Sequence, residues 1–288
     1  MESARDASEV IESPGAMTES GCFPDPATEG RLCDQCGGRD FSIVHGWQAG
    51  DFWNPTSVPI AMWRCVCGCT FLHPVPTSEQ LPGEGDWWSG QRKEFSRRRR
   101  FKTIWRKVRF AMIGSSNERL LRGIRKVAPA GRFLDAGCGK GDMLFSARPF
   151  YDCVGLDPSS NALRCLEGQG FNLIQGTLEA ADLEENSFDV VLLESVIEHV
   201  ASPSALLRKA HYVLRHRGIV VVATPKLNGP SHYLHGRAWN GFRHGYHTFL
   251  FTAKTLRRQL QHAGFEVLRH PRRNRILDDI LILSGQKR

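Results

Sequence analysis

The chain has 288 residues, 41% of them hydrophobic, enough for one sizeable core and a smaller accessory unit. No apolar run approaches membrane-spanning length. The start, Met1-Glu2-Ser3-Ala4-Arg5-Asp6, has neither the basic opening nor the apolar stretch of an export signal, so a cytoplasmic location is expected. The formal charge of +8 is concentrated: residues 92–132 hold fifteen Lys or Arg against only Glu94 and Glu118, and the remainder is mildly acidic.

Residues 1–29 carry seven acids, one Arg, three Pro and a single aromatic, too little apolar surface to offset the entropy of ordering, and read as a disordered tail. Residues 30–77 form a cysteine-rich module with Cys33, Cys36, Cys65, Cys67 and Cys69 among Gly, Pro and aromatic residues. Without an export signal, such cysteines read as reduced thiols or metal ligands. Two thiolate pairs on separate turns are what a tetrahedral zinc site requires. Cys33 and Cys36 supply one pair; the other is Cys65 with Cys67, Cys65 with Cys69, or Cys67 with Cys69. The competing reading is buried thiols packed as small hydrophobes.

Residues 78–130 read as a basic helical connector. Phe101, Trp105, Val108 and Met112 recur at helical spacing over 95–112, next to the run Arg97-Arg98-Arg99-Arg100. Residues 92–109 fit a solvated helix face, a contact with an anionic membrane surface, or a contact with RNA. A second helix is predicted from Asn117, with Leu120, Leu121, Ile124 and Val127 inward and Pro129 ending it.

Over 131–288 short β-rich runs alternate with helical windows, which predicts an α/β fold with a doubly wound, mostly parallel, seven-stranded sheet. The strands fall at 132–135, 153–157, 171–175, 188–193, 218–224, 265–269 and 276–284. The helices fall at 141–148, 159–168, 203–216 and 253–263.

Between the first strand and its helix lies Leu134-Asp135-Ala136-Gly137-Cys138-Gly139-Lys140-Gly141. Glycines at such a junction let the backbone turn sharply and approach a ligand that a Cβ would exclude. A dinucleotide site needs G-x-G-x-x-G, whereas the spacing here is G-x-G-x-G. An acid at the start of the turn, Asp135, would repel a pyrophosphate but suits an ammonium group. Asp157 ends the next strand, where a carboxylate can accept both ribose hydroxyls.

Residues 132–285 resemble a class I S-adenosylmethionine-dependent methyltransferase domain. Leu134 to Gly141 resembles that family's first motif, Gly155-Leu156-Asp157-Pro158 its ribose-binding strand end, and Gly176-Thr177-Leu178-Glu179 the segment against adenine. Ile197-Glu198-His199-Val200 and the run closing in Val222-Ala223-Thr224-Pro225 resemble the ubiquinone-O-methyltransferase-like branch. The resemblance implies that the backbone at Gly137 and Gly139, beside Asp135 and Glu194, holds the methionine end. It likewise implies that Asp157 holds the ribose and Leu178 with Glu179 the adenine edge. One departure is Arg217-Gly218 where the family has Gly-Gly, which should alter only a turn.

Acceptor-side residues are expected beyond the carboxyl ends of the parallel strands. His232, His235, His244 and His247 cluster in the insertion after the fifth strand, mostly as exposed loop residues. The stretch from Arg243 to Thr252 resembles one in magnesium-dependent relatives, which complete a divalent site with a Glu-x-x-Glu-His sequence after the fourth strand. Glu198, His199 and His247 match that set, but Ser195 stands at the first glutamate position, so Mg2+ would bind weakly. Alternatively, Glu198 and His199 orient the following helix and His199 or His247 serves as a metal-free general base.

The stretch from Arg64 to Thr77 resembles the zinc-ribbon lead-in of polysaccharide and deoxysugar methyltransferases, with one residue fewer between the second cysteine pair. That implies structural Zn2+ on Cys33, Cys36, Cys65 and Cys67. The function expected is methyl transfer from S-adenosylmethionine to oxygen or carbon of a small-molecule or glycan acceptor. The alternatives are RNA methylation through the zinc module and basic segment, and cofactor binding without turnover.

Overall fold

The computed structural model describes residues 23–49, 58–75, 116–236, 239, 241–242, 247–268 and 279–288. The basic stretch 92–109, His244 and residues 1–22 of the expected tail lie outside them.

Seven strands build the main sheet: β4 (Gly131–Ala136), β5 (Tyr151–Asp157), β6 (Asn172–Gln175), β7 (Phe188–Glu194), β8 (Leu214–Pro225), β10 (Phe265–Leu268) and β11 (Ile280–Lys287). Their order is β10-β11-β8-β7-β4-β5-β6. The pairs β4–β5, β5–β6, β4–β7 and β7–β8 are parallel, while β11 runs antiparallel to both β8 and β10. This is the doubly wound, mostly parallel sheet that the alternating pattern predicts.

The strands are continuous apolar runs because both faces are covered. Successive side chains point to opposite faces. Leu134, Val191, Leu193, Val220 and Val222 join one buried cluster with Leu206, Leu207 and Ala210 of helix α4 (Pro203–Val213) and Leu256 and Leu260 of α6 (Ala253–His262). Phe133, Val190, Leu192, Ile219 and Val221 join a second. Its helical members come from α1 (Ser116–Arg125), α2 (Asp142–Ala147) and α3 (Ser160–Arg164). Leu120, Leu121 and Ile124 of α1 face inward as expected, but Val127 lies past the helix end and is 40% exposed.

The helix expected over 203–216 stops at Val213, because Leu214 turns extended and pairs with Phe188. Arg217 then adopts a left-handed φ of 65°. Gly218 follows where a Cβ would meet the carbonyl oxygen of Arg215 at 2.9 Å. The departure from Gly-Gly is therefore absorbed by backbone strain at one exposed arginine.

The cysteine-rich segment forms its own sheet from β1 (Phe41–Trp47), β2 (Ile60–Cys65) and β3 (Thr70–His73), three strands that hydrophobic spacing did not announce. Its fourth strand, β9 (Phe249–Leu250), comes from the C-terminal part of the chain and pairs antiparallel with β3. Cys33, Trp63, Cys65 and Phe71 belong to the same buried cluster as Leu134 and Leu193, so segment and main sheet share one core. Residues 23–29, which the expected tail includes, make contacts with the fold. Phe23 packs against that core, and Glu29 reaches His73 at 3.0 Å.

Candidate active site

The chain runs from β4 outward to β5 and β6, then returns to place β7 on the other side of β4. The carboxyl ends of β4 and β7 thus flank a topological switch point, where open α/β sheets bind ligands. Glycines turn the chain after β4. Gly137 has φ 83°, and a Cβ there would lie 2.5 Å from Cγ2 of Val196 in the loop after β7. Gly139 has φ 50° and donates its N–H to Oδ2 of Asp157 at 2.8 Å, while Oδ1 of Asp157 accepts from the N–H of Ser159 at 2.9 Å. Asp157 thereby ties the glycine turn to the start of α3, and each oxygen retains a lone pair for a further donor.

Asp135, Glu194 and Asp157 converge here, and none is in an ion pair among the described residues. Burial, reinforced by Glu194 and Asp157, pushes the Asp135 carboxyl up to about 8. Burial also raises Glu194, with Asp142 adding to it. Such a group of carboxylates favours a cationic ligand over a phosphate. Leu178 is buried and Glu179 half-buried beyond β6, whose end is held by the N–H of Gly176 donating to the Asp157 carbonyl at 3.1 Å.

The loop after β7 links this end of the crevice to a second cluster. Ser195 takes a left-handed φ of 55°, a strained conformation for a residue with a Cβ, and donates its N–H to the Ala223 carbonyl at 2.8 Å. Glu198 is 1% exposed. Its Oε2 accepts from Thr224 Oγ1 at 2.9 Å, and its buried Oε1 has no hydrogen-bond partner among the described residues. Burial pushes this carboxyl up to about 7.

Glu198, His199 and His247 each direct a ligand-type atom into a space where all three lie within 4.8 Å of one another. His247 Nδ1 lies 2.8 Å from the Gly241 carbonyl and must donate to it, which makes Nε2 the nitrogen that carries the lone pair in the neutral ring. Burial and then His199 push His247 down to about 4, so the ring is neutral at physiological pH. Thr248 ties the two segments together. Its N–H donates to the Glu198 carbonyl at 2.7 Å, and its Oγ1 donates to the carbonyls of Glu198 at 3.0 Å and Val200 at 2.7 Å.

Of the clustered histidines that are described, His232, His235 and His247, only His247 joins this site. His235 bonds to its own helix, α5 (Pro230–His235), and His232 packs edge-on against Trp239 and Phe242. Thr224 and Thr248 had no sequence signal beyond their position at strand ends, and the Gly241 carbonyl had none.

A second constellation lies in the small sheet. The sulfurs of Cys33, Cys36, Cys65 and Cys67 lie within 4.8 Å of one another, with Cys33 to Cys67 at 3.6 Å and Cys36 to Cys65 at 3.5 Å. A tetrahedral zinc with sulfur ligands needs separations of about 3.8 Å, so the thiols fit such an ion. Two tight turns present them, closed by the N–H of Gly37 to the Cys33 carbonyl at 2.8 Å and the N–H of Gly68 to the Cys65 carbonyl at 2.7 Å. Cys69 stands outside the group; its carbonyl accepts from the N–H of Cys65 at 2.9 Å.

The fold is that of Rossmann-like methyltransferases. The methyltransferase domain family matches residues 104–270, more than half of the chain, and the chain belongs to that family. It is 37% identical over 102 residues to a ubiquinone biosynthesis O-methyltransferase of Azorhizobium caulinodans, covering 32% of this chain and 40% of that protein. It is 26% identical over 102 residues to an uncharacterized protein of Methanocaldococcus jannaschii, covering 35% and 48%. The chain thus spans less than half the length of these relatives. Among solved structures, a SAM-dependent methyltransferase from Archaeoglobus fulgidus aligns with a TM-score of 0.49 at 18% identity, over 64% of this chain and 99% of that one. An S-adenosylmethionine-dependent methyltransferase from Mesorhizobium loti aligns with a TM-score of 0.45 at 20% identity, over 54% and 90%.

Proposed function

We propose that this chain transfers the methyl group of S-adenosylmethionine to an oxygen or carbon of a small-molecule or glycan acceptor, with His247 as the general base. The observation that carries the reading is the loop after β7. Within it Val196 packs on the glycine turn, while Glu198 and His199 meet His247 in a buried polar cluster.

The donor supplies an already activated methyl on a sulfonium, so the protein's task is alignment and proton removal. The turn at Gly137 and Gly139, beside Asp135 and Glu194, receives the cationic methionine end; Asp157 accepts the ribose hydroxyls; Leu178 and Glu179 flank the adenine. His247 Nε2 takes the acceptor's proton as the acceptor attacks the methyl. An ionised Glu198 then stabilises the imidazolium formed. Magnesium does not fit the same three side chains. One carboxylate and two imidazoles, with Ser195 in place of a second acid, lack the oxygen ligands that ion demands.

The thiols of Cys33, Cys36, Cys65 and Cys67 would hold zinc in a closed four-sulfur site, where the ion adds rigidity and takes no part in the chemistry. Among the described residues no helix is long and apolar enough to cross a membrane. The glycan preference rests on the zinc-ribbon resemblance, and RNA methylation is the reading it competes with.

The test is mass spectrometry of metabolites and glycans from cells with and without the protein. A product heavier by one methyl substitution, absent when Asp157→Ala replaces the wild type, is expected. No such product alongside newly methylated RNA would overturn the acceptor assignment.

A further inference from the structure

The two histidines of the acceptor site lie on segments far apart in sequence, and one side chain outside the site connects the helices that follow them. Asp34 sits between Cys33 and Cys36 in the first cysteine turn. Its Oδ1 accepts from Ser202 Oγ at 2.5 Å and Ser204 Oγ at 3.0 Å; its Oδ2 accepts from the N–H of Ser204 at 2.9 Å and from Gln259 Nε2 at 3.4 Å. Ser202 is the N-cap of α4, three residues after His199, and also accepts from the N–H of Ala205. Gln259 belongs to α6, the helix that follows the segment of His247 and β9.

The rest of the cysteine cluster grips the same helix. Arg258 donates to the Cys67 carbonyl at 2.9 Å, and His262 Nδ1 lies 3.1 Å from the Gln35 carbonyl. An aspartate in a Cys-x-x-Cys turn has no need of such partners to close the turn, which the backbone already does. Among the described residues its four hydrogen bonds all go to the cap and first turn of α4 and to α6.

We infer that Asp34 is a positioning residue: it fixes α4 against α6, and with Thr248 as the nearer crosslink it holds His199 and His247 at their working separation. The cysteine cluster is then the rigid mount for that brace, so loss of its metal loosens the acceptor site before the cofactor site. The inference rests on the acceptor-side role proposed above for His199 and His247, but its primary readout does not depend on turnover.

The test uses the full zinc-loaded chain with S-adenosylmethionine bound, comparing Asp34→Ala, Asp34→Asn and the simple cap variant Ser202→Ala. Three quantities are read: zinc content, cofactor affinity by calorimetry, and the imidazole NMR resonances of His199 and His247. Asp34→Ala should retain zinc and cofactor affinity while shifting both histidines' resonances. Ser202→Ala should perturb His199 far more than His247. Misplacement by a fraction of an ångström should lower kcat on the order of 10- to 100-fold with little change in KM.

If Asp34→Ala loses its zinc, the decision passes to Asp34→Asn, which keeps one acceptor oxygen on the same stem. Unmoved histidine resonances in a zinc-loaded Asp34 variant overturn the inference. Moved resonances with unchanged turnover support the brace and instead contradict the proposed role of the histidines.

Discussion

The two ends of the crevice are built in opposite ways. At the cofactor end, adjacent strand ends do most of the work: Gly137 and Gly139 follow β4, Asp157 ends the neighbouring β5, and that one carboxylate holds the turn through backbone N–H groups. At the acceptor end, Glu198 is held by Thr224, His247 by the Gly241 carbonyl, and both segments by Thr248, with Asp34 bracing the helices behind them. A site made of local backbone tolerates change in the rest of the chain. One assembled from distant segments depends on every crosslink, and it is there that the cysteine cluster is attached.

The largest expected effect breaks the cofactor end. In Gly137→Ala the new Cβ meets Val196 and must hold φ 83°, at about 1–2 kcal/mol for the backbone alone. S-adenosylmethionine affinity, measured by calorimetry, should fall on the order of 10-fold or more. Unchanged affinity would show that the turn is not the methionine site.

The next effect separates the acceptor end. Glu198 is protonated below its value of about 7 and ionised above it, so turnover should rise with pH through that region as the carboxylate becomes able to stabilise His247 imidazolium. Glu198→Gln should lower kcat several-fold and remove that limb from the profile. A limb that persists in the variant would assign it to another group.

A smaller and global effect follows metal removal. Because Cys33, Cys65 and Leu134 share one buried cluster, chelation should lower the unfolding midpoint of the whole chain while calorimetry still shows a single transition. Two separate transitions would contradict the shared core. The smallest effect is a gain: Arg217→Gly removes left-handed strain at an exposed position and should stabilise by about 1 kcal/mol in denaturant unfolding, with turnover unchanged.

The difference between the two ends also explains what the sequence reveals. Apolar runs and glycine spacing predicted the wound sheet, and the placing of Gly137 and Asp157 at strand ends follows from it. The expected helix over 203–216 ran too long because pairing of Leu214 with Phe188 overrides local helical preference. Strand β9 is two residues long and closes a sheet begun at Phe41, far earlier in the chain, which no local pattern encodes. Asp34 and Thr248 are ordinary polar residues until the fold gives them partners. By contrast, Glu198, His199 and His247 were legible only through resemblance, and their meeting within 4.8 Å needed the fold.

The most direct test of the account compares S-adenosylmethionine affinity and turnover in Asp157→Ala and His247→Gln. Asp157→Ala should lose cofactor affinity, while His247→Gln should bind the cofactor like wild type and lose turnover. If His247→Gln turns over normally, or weakens the cofactor as much as Asp157→Ala does, the separation of a local cofactor end from a braced acceptor end is wrong.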